Sequence, residues 1–361
     1  METVRGLVEI LYARGVYPPV ARLLSTLSGF VPFSLAEWTF AAIPVLLLVA
    51  AVTGFREARW KGLARRLAAA ALGTWLVFMG LWGLNYLRPA PREVFRLGPT
   101  PRGRAAARLV ARVARRLDRV RAGCPEGPGG VVALPESLDH PGWSGRRVVA
   151  ALDRHVRVLE AMALCRLGLP VIATGRAKVF LASPLLLRWG VSGTYGPFTG
   201  EPNLVWPSAP GLLPFDVAHE RAHLAGLAWE EEASFVGLVA CWQSPRPEVR
   251  YSGWLALWLE LRVPPAGLSP PVRRDLEAIR AFVRGHLGRE APWVRRAYSG
   301  YLEVHGVRGG VRSYGRVAGL ALAWLDARGF PPEPLPDLPR PPRGERSPPP
   351  GEDGRREAFV E

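Results

Sequence analysis

Cysteine and lysine are both scarce in this chain. Cys124, Cys165 and Cys241 are the only cysteines in 361 residues and lie far apart. That spacing excludes a disulfide framework or a CxxC metal knuckle and reads as buried free thiols. Lys61 and Lys178 are the only lysines, so the formal net charge of +16 is carried almost wholly by arginine. The arginines are scattered rather than gathered with interleaved aromatics. Beside abundant Ala, Gly, Leu and Pro they fit GC-rich coding, and the expectation is no nucleic-acid partner. The amino terminus lacks the basic start, compact apolar core and small-residue cleavage site of a signal peptide, and it carries Glu2 and Glu9 where such peptides avoid acids. Hydrophobic residues, at 48%, exclude disorder throughout.

Two long charge-free runs stand out. Ser34-Leu35-Ala36-Glu37 has the form of a capping box, and residues 38–55 after it carry no charge. Residues 67–87, between Arg66 and Arg88, form a second such run. Each approaches the roughly 20 residues that cross a bilayer core, so the pair reads as a transmembrane helical hairpin; two buried helices of a soluble protein are the other reading. The linking residues 56–66 hold five basic residues against one acid. By the positive-inside rule that loop is cytoplasmic and everything after Leu87 extracytoplasmic, although Arg88, Arg92 and Arg96 pull the other way. The expected location is the cytoplasmic membrane, with more than one span. Residues 1–33, amphipathic and broken by Pro18 and Pro19, suit the membrane interface. The expected organisation is an interfacial segment at 1–33, a hairpin at 34–88, a catalytic domain at 89–329 and a proline-rich disordered tail at 330–361.

Within the third segment, Ala106, Leu109, Val113, Leu117 and Val120 make one apolar stripe, an amphipathic helix over 102–121 whose basic face suits anionic headgroups or solvent. Val149, Leu152, Val156, Leu159 and Ala163 mark a helix over 144–165. PVIATG, AKVFLASPLL and the Gly/Pro-rich GVSGTYGPFTGEPNLVWPS read as strands and turns, the only good sheet material before residue 208. Trp254 and Trp258, one turn apart, belong to core packing or to a membrane-facing edge.

The chemistry is concentrated in FDVAHERAHLAGLAWEEEASF, residues 215–235. His219 and His223 are four apart, so a helix projects both from one face at a separation that can grip one Zn²⁺, and Glu220 beside them can take a proton from bound water. On a continuous helix Glu230 would lie about 10.5 Å beyond His223 along the axis, out of reach. Gly226 allows the chain to turn back, with a second helix starting near Trp229. Of the three acids there, Glu230 shares a face with Ala233, Ser234 and Gly237 and is the expected third ligand; Glu232 is the alternative and Glu231 is expected in solvent. Trp229 stands where a third histidine would follow in HExxHxxGxxH, so a His-His-Glu site is the better fit.

The segments GTYGPFTGEPNLVW, LPFDVAHERAH, EEEASFVGLVAC and YSGYLEVHGVRGGVRSYGRV, with YARGVYPPVARLLSTLSGFVPFSLAEW near the start, resemble the bacterial membrane-protein family called domain of unknown function 3810, over most of residues 7–326. The resemblance implies a zinc metallopeptidase with amino-terminal transmembrane helices. The family is distantly similar to HtpX and CAAX-prenyl proteases, and on their pattern Glu230 falls on the ligand Glu, Ala233 on the Ala and Ser234 on the Asp. Arg221 and Ser234 depart from the family's usual apolar residue and Asn. The expected fold is mostly α with a small β-sheet: the hairpin, then a zincin-like, gluzincin-type peptidase domain. The expected activity is hydrolysis of peptide bonds in a peptide or protein substrate at the lipid bilayer, with Zn²⁺ held by His219, His223 and Glu230 and with Glu220 as base. His305, Tyr314 and Arg316 are candidates to stabilise an oxyanion. The competing expectation is an inactive scaffold that keeps the fold, with Arg221 or Trp229 plugging the cavity. Binding of an anionic polymer, a third possibility, needs a continuous positive groove.

Overall fold

A computed structural model describes residues 2–57, 60–139, 144–288 and 314–332. Met1–Pro331 forms one unit; Pro332–Glu361 is a second and, beyond Pro332, lies outside the described residues. The expected disordered tail is therefore not described, nor is His305.

The chain opens with α1 (Glu2–Leu7), a π-helical stretch (Val8–Val16) and α2 (Tyr17–Gly29). Helical backbone continues from the π-helical stretch into α2 through Pro18 and Pro19, so the break expected at this pair does not form. Next come α3 (Leu35–Glu57) and α4 (Trp60–Leu81), which pack on each other. Among the described residues one helical stretch, Gly62–Leu81, is long and apolar enough to cross a membrane, and 6% of its apolar window is buried. The second apolar run ends earlier than expected. Gly83–Leu87 is a 3₁₀ turn with Gly83, Asn85 and Tyr86 buried against the body, and Lys61, Arg65 and Arg66 of the expected loop lie in the first turns of α4. Half of the capping box forms: the Glu37 amide donates to Ser34 Oγ (3.1 Å). The Glu37 carboxylate instead accepts from the amides of Leu181 (2.9 Å) and Ala182 (2.6 Å).

After α5 (Pro91–Val94) comes α6 (Gly103–Arg121), burying Leu109, Val113, Leu117 and Val120. A short α7 (Pro135–Asp139) precedes α8 (Gly145–Arg166), which buries all five residues of its expected stripe. The sheet is smaller than the sequence suggests. β1 is only Lys178–Val179, and the last four residues of the expected strand AKVFLASPLL fall in helix α9 (Ser183–Arg188), because Pro184 in its first turn favours a helix start. β2 (Gly193–Gly196) and β3 (Glu201–Leu204) complete a three-stranded sheet in the order β1-β3-β2, with β1 parallel and β2 antiparallel to β3.

The core is built from α10 (Leu213–Leu224), α11 (Glu230–Trp242), α12 (Pro247–Leu261), α13 (Pro270–His286) and α14 (Tyr314–Arg328), packed with α6 and α8. Trp254 and Trp258 are core residues; Trp254 stacks on Trp242 with ring centroids 4.4 Å apart. Cys124 and Cys241 are buried free thiols as expected, whereas Cys165 is exposed.

A second apolar cluster joins distant parts of the chain: Tyr12, Tyr17 and Ala21 from the first helices, Phe78, Trp82 and Tyr86 from the end of α4, and Tyr195, Leu224 and Ala228 from the sheet and from the residues around the α10–α11 turn.

Candidate metal centre

Two helices, not one, carry the motif. Helix α10 ends in a tight reversal in which Gly226 N–H donates to the His223 carbonyl (2.9 Å) and Leu227 N–H to the Ala222 carbonyl (3.3 Å), the paired bonds of a Schellman motif. Gly226 has φ +87°, and a Cβ there would lie 2.7 Å from the Tyr17 ring, so glycine is required for conformation and for space. Trp229 caps α11, which runs back against α10. At the crossing Gly237 lets the helices approach: its Cβ would meet His219 N at 3.3 Å.

This fold-back brings together the three side chains expected to bind metal. His219 Nε2 lies 3.2 Å from His223 Nε2 and 3.3 Å from Glu230 Oε2, which is 3.8 Å from His223 Nε2. Three donors around a tetrahedral Zn²⁺, at about 2.0–2.2 Å each, stand about 3.3–3.5 Å apart, so the set fits that ion. Both imidazoles are oriented through their other nitrogen. His223 Nδ1 donates to the Leu227 carbonyl (2.7 Å), and His219 Nδ1 bonds Ser234 Oγ (3.0 Å). Ser234 thus meets a candidate ligand histidine.

With the three groups alone, charge settles within the cluster. Burial opposes ionisation of Glu230, but hydrogen bonds from His219 and His223 outweigh it and hold its carboxyl well below the usual range. Burial likewise opposes a charged His223, yet its bonding to Glu230 raises it to about 9. Burial lowers His219.

Glu220 leaves the same helix toward the sheet. It is buried, and its Oε2 has no hydrogen-bond partner among the described residues. Burial pushes its carboxyl up to about 8. Gly193, at the start of β2, sits directly on it: a Cβ there would meet Glu220 Oε1 at 2.7 Å and the Asn203 carbonyl at 2.8 Å.

The other acids separate. Glu232, the alternative ligand, does not join the cluster; it is fully buried, neither of its oxygens is hydrogen-bonded among the described residues, and burial raises it to about 7. Glu231, expected in solvent, is 2% exposed and accepts from Arg316 (3.1 Å). That bond turns Arg316 toward Glu231. Arg221 does not plug the cavity: fully buried, it points to α8, donating to Glu160 (2.6 Å) and Asp153 (3.0 Å).

Sequence reasoning missed the shell around His223. Trp82 Nε1 donates to the His223 carbonyl (3.3 Å), and the Tyr195 ring stacks near the imidazole at 6.5 Å. Tyr17 donates to the Leu224 carbonyl (2.9 Å), and Arg88, 3% exposed, donates to the Gly226 carbonyl (2.9 Å) and to Glu9 (2.7 Å). The one local hint was aromatic clustering beside Arg88 at the end of the second apolar run.

No curated protein and no solved structure matches the chain. A family model covers residues 12–322, taking in α2, the sheet and both helices of the centre, and on that match the chain belongs to the family described as Protein of unknown function (DUF3810).

Proposed function

We propose that the chain is a membrane-anchored zinc peptidase of zincin-like, gluzincin-type build, related in its centre to HtpX and CAAX-prenyl proteases. The observation that carries the reading is the convergence of His219, His223 and Glu230, all three donor atoms within 4.8 Å of one another, beside the buried Glu220, whose Oε2 has no hydrogen-bond partner among the described residues. Bound Zn²⁺ would supply Lewis acidity and lower the pKa of a water molecule. Beside a bound cation Glu220 would be ionised and could accept a proton from the attacking water on Oε2 and pass it to the leaving amine. Edge strand β2, next to Glu220, offers backbone groups for pairing with an extended peptide. Helices α3 and α4 form the anchor, with the body on the extracytoplasmic face of the cytoplasmic membrane.

Purified protein should bind about one zinc, and Glu220→Gln should keep that zinc while peptide hydrolysis falls by about 10²–10⁴-fold. Unchanged hydrolysis would refute the assignment. Fusion reporters placed in the α3–α4 loop and at the carboxyl terminus test the topology: both on one side of the membrane rules out the hairpin.

A further inference from the structure

Both open ends of the α3–α4 hairpin rest on the catalytic region. At the start of α3 the Ala36 amide donates to Glu201 Oε2 of β3 (2.7 Å), and a Cβ on Gly196, the last residue of β2, would lie 2.6 Å from the Ala36 methyl. At the end of α4, Trp82 follows Leu81 directly and holds the His223 carbonyl. The apolar surface continues around this base. Val16, Leu23, Leu27 and Phe30 are exposed on or beside α2, the helix whose Tyr17 is buried against the Leu224 carbonyl. Leu181 and Leu185 are exposed beside the Glu37 carboxylate in the first turn of α3. Lipid reaching the base of the hairpin would cover all six.

Strand β2 links this boundary to the chemistry. Gly193 abuts Glu220 and Gly196 abuts Ala36, and three steps of extended chain span about 10 Å. Its far edge pairs with no strand among the described residues. A polypeptide paired there passes from the carboxylate to the first turn of α3 within about three residues. A segment already held in the same membrane is delivered to that edge, whereas a free peptide must find it from solution.

We propose that the substrate is a membrane-anchored polypeptide, cut a few residues from the lipid boundary. This rests on the peptidase reading above.

The full chain, zinc-loaded in lipid nanodiscs, is given three substrates: a single-span reporter whose cleavable stretch starts at the lipid boundary, the same reporter with the stretch moved about ten residues outward (roughly 33 Å of extended chain), and the stretch as a free peptide. The boundary reporter should be cut at least about tenfold faster than the other two. Equal cutting of the free peptide or of the distant reporter overturns the proposal. A second arm reports position without hydrolysis. A fluorophore on Thr194→Cys, in a chain where the exposed Cys165 is Ser, should be quenched by lipids carrying a nitroxide at headgroup level, and no quenching overturns the proposal. Quenching with none of the three substrates hydrolysed would instead defeat the peptidase reading, and the substrate assignment with it.

Discussion

His219 and His223 occupy equivalent places on one helix face, but their supports differ in kind. A backbone carbonyl fixes His223, whereas the hydroxyl of Ser234 fixes His219. Only the second can be removed by substitution. Ser234→Ala should lower zinc affinity by about 10–100-fold, read by competitive titration, with Ser234→Thr restoring part of it; an unchanged affinity would show that Ser234 does not orient the ring. Arg221 makes the complementary case. It reads as a mere departure when only its neighbours in sequence are considered, because its partners Glu160 and Asp153 lie 61 and 68 residues away. Arg221→Leu leaves the buried Glu160 without its arginine and Asp153 with Arg157 alone, and it should cost about 3–5 kcal/mol of stability in denaturant titrations, far more than loss of a surface ion pair. The spacing of the histidines was legible because helix geometry is local. The partner of Arg221 was not, since nothing periodic connects it to α8.

Among the elements, the α10–α11 reversal was legible for the same reason. A glycine after a histidine pair, followed by three acids, has few backbone solutions. Gly226→Ala should cost at least about 1 kcal/mol from the left-handed backbone alone, and the contact with the Tyr17 ring adds to it; a thermal shift measures the sum, and zinc affinity should fall with it. Helix α9 was misread as strand because its apolar residues suit either form, and what decides for helix is Pro184 in its first turn together with Glu37 holding the amides of Leu181 and Ala182. Between α8 and the segment after α11, the structure sets a pH response. His155 bonds Ser244 Oγ (2.9 Å), and burial together with nearby Arg246 lowers it from 6.5 to about 4, against a smaller opposing pull from Glu136. Between those values the unfolded chain takes a proton that the folded chain refuses, so stability falls as pH drops through that window. His155→Gln should flatten this part of the stability–pH curve, and an unchanged slope from pH 6.5 to 4 would count against it.

At the scale of the molecule, the sequence divides into segments that the fold does not keep apart. Boundaries at 33 and 88 follow hydropathy, yet Tyr17 reaches the Leu224 carbonyl across 207 residues, and Arg88 reaches both Glu9 and the Gly226 carbonyl. Hydropathy marks where a chain meets lipid; it carries no signal for a single tyrosine or arginine crossing between segments. The first helices and the end of α4 therefore form a wall of the candidate metal centre, and disturbing them should change its affinity for added zinc. Arg88→Met removes one of the two arginine partners of Glu9, Arg14 being the other, and one support of the reversal that carries His223. Burial would raise Glu9, but hydrogen bonding and charge from Arg88, with a smaller share from Arg14, keep its carboxyl lowered, so the single variant leaves that charge to Arg14 alone. Glu9→Gln together with Arg88→Met removes that half-paired charge while leaving the Gly226 carbonyl without its donor. The double variant should thus regain stability relative to Arg88→Met, by roughly 0.5–3 kcal/mol of coupling, without regaining zinc affinity. If zinc affinity returns with stability, Arg88 acts on the site only through the folding of the first helices; if it stays low, the bond to Gly226 is what ties the end of the second apolar run to the candidate site.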